Sequence, residues 1–220
     1  MENPKKLHVD DISEKDFERI AQVGIVAIDC EMGGLNPYRD NLYMVQLAEL
    51  DGTIHILRAK EWDRARVFKK FLIDENITKV FHFAIMDCAF LMHQFHDPVN
   101  GAYCTKIASK IARTYSSSHS LSTLIKEFFN ITLDKDLQKS FWGSAEVSSS
   151  QLEYASNDVK YLLKIKGCLE KILMDKGSLP SGISYLDLNQ KCQATIPLLI
   201  HLWINGWDFG KEDPDSIFGR

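Results

Sequence analysis

Apolar positions fall in short runs in the first half of the chain and in helical stripes in the second. Val23–Asp29 (VGIVAID) is greasy almost throughout, the pattern of a strand covered on both faces. Tyr43–Glu49 (YMVQLAE) alternates loosely, and Thr53–Leu57 (TIHIL) follows Asp51-Gly52, a hairpin signal. These segments predict three antiparallel strands that open the fold. Trp62, Val67, Phe68, Phe71 and Leu72 then recur at helical spacing. Residues 79–83 (KVFHF) predict a short strand, Met86–Phe95 a helix, Ala102–Cys104 a last short strand and Thr105–Thr114 another helix.

Helical periodicity dominates from there on. Ser120 is placed to cap a helix whose apolar face is Leu121, Leu124, Ile125 and Phe128. Residues 134–150 are polar and serine-rich around Phe141-Trp142-Gly143. Ser150 is expected to cap one long helix from Gln151 to Asp175, closed by Lys176-Gly177. A Gly/Pro/Ser-rich loop over 177–184 leads to a final helix, Leu186–Asn205. Strands alternating with helices predict an α/β fold, a mixed sheet flanked by helices. Residues 1–176 would form that domain, and 177–220 a helical extension packed on it.

Bulk composition narrows the class without naming a function. With 45% hydrophobic and 25% charged residues, the 220-residue chain is ordinary for a globular domain. A net charge of −4 argues against a non-specific nucleic-acid coat, but allows a local acidic pocket that cations neutralise. The five cysteines are odd in number and show no C-x-x-C pair. Free thiols in a reducing cytoplasm are the expectation. No apolar signal segment is seen at the N-terminus, and Ala194–Ile204 is too short to span a bilayer.

Chemistry enters with the acids. Asp29 and Glu31 end the first predicted strand two residues apart, so both point to one face. Unpaired like charges on one face repel and are costly to desolvate, so something positive is expected there. Asp87 starts the helix after KVFHF, and Asp158 lies one helical turn beyond Tyr154. Sites in such sheets form where strand ends meet helix starts. Carboxylates without matching Cys or His ligands suit hard cations such as Mg²⁺ or Mn²⁺. Two such ions about 3.5–4 Å apart serve phosphoryl transfer, and a tyrosine beside them can orient a water. Taken singly, each residue has a plainer explanation: a solvated turn, a helix cap, a core tyrosine, a polar face.

Taken in order, they resemble the DEDD 3′–5′ exonuclease superfamily, tyrosine branch, and most closely its ribonuclease D group. DCEMGGL carries Asp29 and Glu31, VFHFAIMDCAFL carries Asp87, and YASND carries Tyr154 and Asp158. LDKDLQKSFW resembles the segment between the second and third motifs, and Glu153 stands where a histidine branch would place its base. The resemblance spans residues 20–175 and implies a ribonuclease H-like (DnaQ-like) fold. It implies a two-metal exoribonuclease that releases nucleoside monophosphates from single-stranded RNA 3′ ends, with transfer-RNA precursors as one substrate. Asp29, Glu31, Asp87 and Asp158 would be the metal ligands. Two alternatives stay open: a DNA exonuclease of the same superfamily, and a catalytically silent RNA-binding module.

Substrate contacts are expected from Lys135, Gln138, Lys139, Ser140 and Trp142, a loop with phosphate-binding and stacking groups. A plain surface loop, with Trp142 as a core anchor, is the competing reading. His82 would touch substrate or brace the site. By resemblance, Leu35 packs near the terminal bases, and Met32 replaces a threonine that would contact the terminal ribose. Cys104 likewise stands where relatives carry an acid. Longer relatives add helical HRDC domains, and the 45 residues after Asp175 are too few for two; a short form without one is expected. His93 and His96 lack a zinc pattern, and Lys106, Lys110 and Arg113 are expected on a solvated helix face.

Overall fold

A computed structural model describes residues 5–133, 142–144 and 147–205. Its sheet has six strands: β1 (Lys5–Val9), β2 (Ile25–Met32), β3 (Leu42–Ala48), β4 (Ile54–Arg58), β5 (Thr78–Phe81) and β6 (Ala102–Cys104), in the order β1-β4-β3-β2-β5-β6. β2, β3 and β4 run antiparallel to their neighbours in that set, as the DG turn predicts. β1–β4, β2–β5 and β5–β6 are parallel, so the sheet is mixed.

Alternation along the central strands builds two cores. Val26, Ile28 and Cys30 of β2, with Val45, Leu47 and Leu57, pack under α1 (Glu14–Val23), α2 (Arg66–Ile73), α3 (Ala84–Phe95) and α9 (Ile196–Asn205). Ala27, Met44, Ala48, Ile54, Ile56 and Val80 face the other way. There they meet α4 (Thr105–Ala112), α5 (Leu121–Phe129), α6 (Ser149–Lys160) and α7 (Leu162–Asp175). Both faces of β2 are therefore covered, which accounts for its unbroken apolar run.

Several boundaries differ from expectation. β1 and α1 precede the predicted first strand. KKLHV alternates in exposure on a sheet edge, a weak signal for a strand. Ser13 caps α1 by accepting from the Asp16 N–H, and Gly24 closes it in the left-handed region at φ 75°. Val23 thus belongs to the helix, and β2 continues past Asp29 to Met32. The two acids lie inside a paired strand, not at its end, because Glu31 still pairs with Met44 before a bulge at Glu31/Met32.

The predicted long helix is two. Ser148, not Ser150, caps α6 with a full capping box to Gln151, and the helix breaks at Tyr161, whose ring stacks on Phe129 at 5.6 Å. The last predicted helix also divides, into α8 (Tyr185–Gln193) and α9. Pro197 occupies the first turn of α9, where its missing N–H costs nothing. α8 is pinned to the sheet by two side chains, Asn189, which donates to the Tyr103 hydroxyl at 3.3 Å, and Gln193. Gln193 accepts from the Cys104 N–H at 2.8 Å and donates to the Cys104 carbonyl at 3.1 Å, completing the edge of β6. Ile196 and Ile200 of α9 bury themselves in the α3 side of the core. Among the described residues, no helix is long and apolar enough to cross a membrane.

Candidate active site

The site is assembled from β2, α6 and α3. In β2, Asp29 lies opposite Gln46 and Glu31 opposite Met44, on the sheet face that α6 covers. Ala155 and Val159 anchor α6 in the core. Tyr154 and Asp158, each one residue earlier, therefore stand on the helix flank, one turn apart. Asp29, Glu31 and Asp158 each offer one carboxylate oxygen, and these oxygens lie within 4.8 Å of one another. The Tyr154 hydroxyl hydrogen-bonds the Asp158 carboxylate.

Asp87 arrives from the opposite face. It lies in the first turn of α3, where the positive end of the helix favours an anion. Its carboxylate accepts from its own backbone N–H, from the Cys30 N–H and from the Cys30 thiol. Cys30 points away from its neighbours Asp29 and Glu31, so one strand serves acids on both sides of the sheet. Phe83, which precedes α3, holds the left-handed backbone at φ 68°, an uncommon state for a bulky residue. Lys106 lies over its ring at 4.1 Å.

Burial dominates the electrostatics, and like charges add to it at Asp29 and Glu31. Burial first, then the charges of Asp87, Asp158 and Glu31, hold the Asp29 carboxyl well above the usual carboxylate range. Glu31 is pushed up to about 8 by burial and by Asp158 and Asp87. Burial raises Asp87 to about 7 against the pull of its hydrogen bonds, and raises Asp158 to about 6 against that of Tyr154. Burial and the Asp158 charge hold the Tyr154 phenol up as well, so it stays protonated. Glu31 Oε1 is buried with no hydrogen-bond partner among the described residues. Three converging carboxylates, one with an orphaned oxygen, are a donor set that fits Mg²⁺ or Mn²⁺.

The remaining predicted residues fall in different places. Met32 is partly buried against the core. Leu35 is 69% exposed on the loop after the Gly33-Gly34 pair. The reason for Gly34 is space: a Cβ there would collide with the Asp40 carboxylate, which accepts from the Asn36 N–H and from Arg39 and ties the loop together. His82 donates from Nδ1 to the Thr105 hydroxyl at 2.9 Å, since that hydroxyl itself donates to the Phe81 carbonyl at 3.0 Å. Burial pushes His82 down to about 4, so it is a neutral brace between β5 and α4. Trp142 is only 4% exposed and packs in the α6 core, its ring 6.2 Å from that of Tyr154, the position of an anchor and not of a stacking platform. Lys135, Gln138, Lys139 and Ser140 lie outside the described residues.

Arg113 requires a correction. It has no exposed surface, because the chain beyond α4 folds over it. Its guanidinium donates to Ser109 Oγ at 3.0 Å, to the Ser118 carbonyl at 2.9 Å and to Glu127. It is a structural clamp and not part of a solvated basic stripe. Sequence reasoning also passed over Gln46 and Cys30; a lone polar residue in the buried run YMVQLAE was the available signal for Gln46. Nothing in the sequence marks the Phe83 backbone.

A sequence model described as 3′-5′ exonuclease matches residues 7–174, which takes in every acid of the site. The chain belongs to the 3′-5′ exonuclease family. The chain is similar to ribonuclease D of Zymomonas mobilis, 28% identical over 160 residues, which are 72% of this chain and 41% of that protein. It thus spans less than half the length of that curated relative. Among solved structures it is similar to Brucella melitensis NrnC bound to pGG, with 35% identity, a TM-score of 0.83 and coverage of 96% and 98% of the two chains. It is likewise similar to Brucella melitensis NrnC with bound Mg²⁺, at 34% identity, a TM-score of 0.82 and coverage of 96% and 97%. Escherichia coli RNase D shares the fold at 20% identity and a TM-score of 0.70. The chain has the ribonuclease H-like fold of the DEDD nucleases.

Proposed function

We propose that this exonuclease is a tyrosine-branch 3′–5′ exoribonuclease that removes nucleoside 5′-monophosphates one at a time from single-stranded RNA 3′ ends. The observation that carries this reading is the meeting of Asp29, Glu31 and Asp158 oxygens within 4.8 Å, beside a tyrosine hydroxyl bonded to one of them. Asp29, Glu31 and Asp158 would hold one Mg²⁺ or Mn²⁺, and Asp29 with Asp87, directly or through water, a second. Bound there, the ions supply an activated water at neutral pH and charge stabilisation of the leaving 3′ oxygen.

The chain's own groups set the geometry. Asp158 fixes the Tyr154 hydroxyl, which hydrogen-bonds the attacking water and holds it toward the terminal phosphorus. With its proton donated in a hydrogen bond to Asp158, the Tyr154 oxygen accepts from the water and orients it. Glu31 accepts from the terminal 3′-OH. Exposed Leu35 packs against the terminal bases, and with Met32 in place of a hydroxyl, ribose recognition falls to backbone N–H groups of the Gly33-Gly34 turn. Trp142 braces Tyr154 from the core. Lys135, Gln138, Lys139 and Ser140 grip the following phosphates. Free thiols at all five cysteines suit a cytoplasmic enzyme.

Two substrate classes follow from the relatives. Likeness to ribonuclease D favours 3′ processing of RNA such as transfer-RNA precursors. The pGG in the NrnC structure, a relative matched over nearly its whole length, favours a second reading in which very short 5′-phosphorylated oligonucleotides are the preferred substrates. A time course on a 3′-extended RNA, its DNA counterpart and pGG, with Mg²⁺, Mn²⁺ or EDTA, tests these readings. Single-nucleotide steps on RNA that disappear in EDTA are expected. Equal or faster cleavage of the DNA would overturn the RNA assignment, and full activity in EDTA would overturn the mechanism.

A further inference from the structure

Gln46 sits in the middle of β3 with no exposed surface, yet neither its Oε1 nor its Nε2 has a hydrogen-bond partner among the described residues. Buried amides are normally paired, and one left unpaired calls for an explanation. The one other buried side-chain atom among the described residues without a partner is Glu31 Oε1. The two residues share one sheet face, around Asp29.

The register leaves little choice of partner. Asp29 lies directly opposite Gln46, which puts the two Cβ atoms about 5 Å apart on the same face. On the other side Gln46 faces Ile56 of β4. Met44 and Ala48, two residues away along β3, are apolar, and so are Ala155 and Val159 of α6 in the same core. Ser156, also buried on α6, donates to the Leu152 carbonyl at 2.6 Å and keeps only acceptor capacity. The polar groups that the register sets beside Gln46 are the Asp29 carboxylate opposite and Glu31 on the diagonal. A neutral amide there has a chemical logic: a lysine or arginine would neutralise the acids and displace a cation, whereas an amide N–H orients a carboxylate and leaves its charge available.

We propose that Gln46, unpaired in this structure, is a positioning residue of the acid cluster, whose amide donates to Asp29 once a divalent cation is bound and holds that carboxylate in its binding orientation. The inference rests on the reading of Asp29, Glu31 and Asp158 as a cation site. Groups that orient metal ligands in this way typically change affinity 10–100-fold when removed.

The test is Gln46→Met, close in volume and without a donor, in the full chain. Mn²⁺ binding is measured by calorimetry without nucleic acid, and thermal stability in EDTA. We expect a melting temperature in EDTA equal to or above that of the parent, since an unpaired buried amide is removed, and an Mn²⁺ Kd weakened about 10-fold or more. Cleavage lost at limiting Mn²⁺ should return when Mn²⁺ is raised by the same factor, with KM for the RNA end unchanged. A Kd within twofold of the parent's would overturn the proposal. So would failure of Gln46→Met to fold in EDTA, because an amide that serves only the cation site leaves the metal-free core intact. If the parent itself binds no Mn²⁺, the cation-site reading falls and takes this inference with it; parent and variant thus separate the two failures.

Discussion

Replacing Asp158 with asparagine should make the metal-free protein more stable while abolishing its activity. Carboxylate oxygens that lie within 4.8 Å of one another repel by about 3.5 kcal/mol at that limiting distance and an effective dielectric constant of 20, before screening by water that enters the cleft. Burial of Asp158 raises its carboxyl from 3.8 to about 6, a separate desolvation cost of about 3 kcal/mol at pH 8. Halved for partial solvent access, and with the relief at Glu31 added, the expected gain is about 1.5–3 kcal/mol, or roughly 3–10 °C in melting temperature for a chain of this size. Asparagine keeps the shape and still accepts from the Tyr154 hydroxyl. The pH dependence has a fixed sign. A carboxyl whose folded pKa lies above its unfolded one carries no penalty below the unfolded pKa, and acquires it as pH rises through the folded value. The advantage of Asp158→Asn should therefore fall to about half by pH 5 and be full at pH 8. Differential scanning calorimetry of both proteins in EDTA at the two pH values measures it, and repeating the scans with Mn²⁺ should stabilise the parent alone. An asparagine variant less stable than the parent at pH 8, or a gain independent of pH, would refute the electrostatic reasoning.

Three further outcomes are expected. Tyr154→Phe keeps the helix and the acids but loses the water-orienting hydroxyl, so cleavage should fall about 10²–10³-fold with Mn²⁺ affinity unchanged by calorimetry. Gly34→Ala drives a methyl into the Asp40 carboxylate and displaces the loop that carries Leu35; KM for RNA ends should rise several-fold, with the melting temperature within a few degrees of the parent's. Trp142→Ala empties a core position that is 4% exposed and should cost about 3–5 kcal/mol by denaturant titration, whereas a stacking-only residue would lower RNA affinity and leave stability intact.

The acids were legible because their chemistry is local to the motif: two carboxylates two residues apart in a greasy strand have few structural uses, and Tyr154 and Asp158 declare their common face by helical spacing. The central strands were legible for the same reason, since β2, β3 and β4 announce themselves by apolar runs and a DG turn. What escaped depends on contacts distant in sequence. β1 is an edge strand whose pairing with β4 no alternation of KKLHV demands. The break at Tyr161 coincides with a stack on the ring of Phe129, 32 positions away in the numbering. Arg113 reads as a surface cation until Glu127 and the Ser118 carbonyl close around it. The Gly34 requirement comes from Asp40, not from a backbone angle.

The acids reach the site from both sides of the sheet. Alternation along β2 sends Asp29 and Glu31 toward α6 and Cys30 toward α3, where its N–H and thiol satisfy Asp87, although Asp87 stays the charge that acts most on Asp29. Asp29 is the position on which the other three charges all act. It is therefore where added positive charge relieves the most repulsion, and where an orienting amide at Gln46 would have the largest effect. What holds these groups in place against their repulsion is apolar: Ala27 and Val26, Ile28 bury the strand from both sides, and Ala155 and Val159 lock α6 over it. The strain is local and the scaffold extensive, which is how a marginally stable domain keeps a costly arrangement at a site of function.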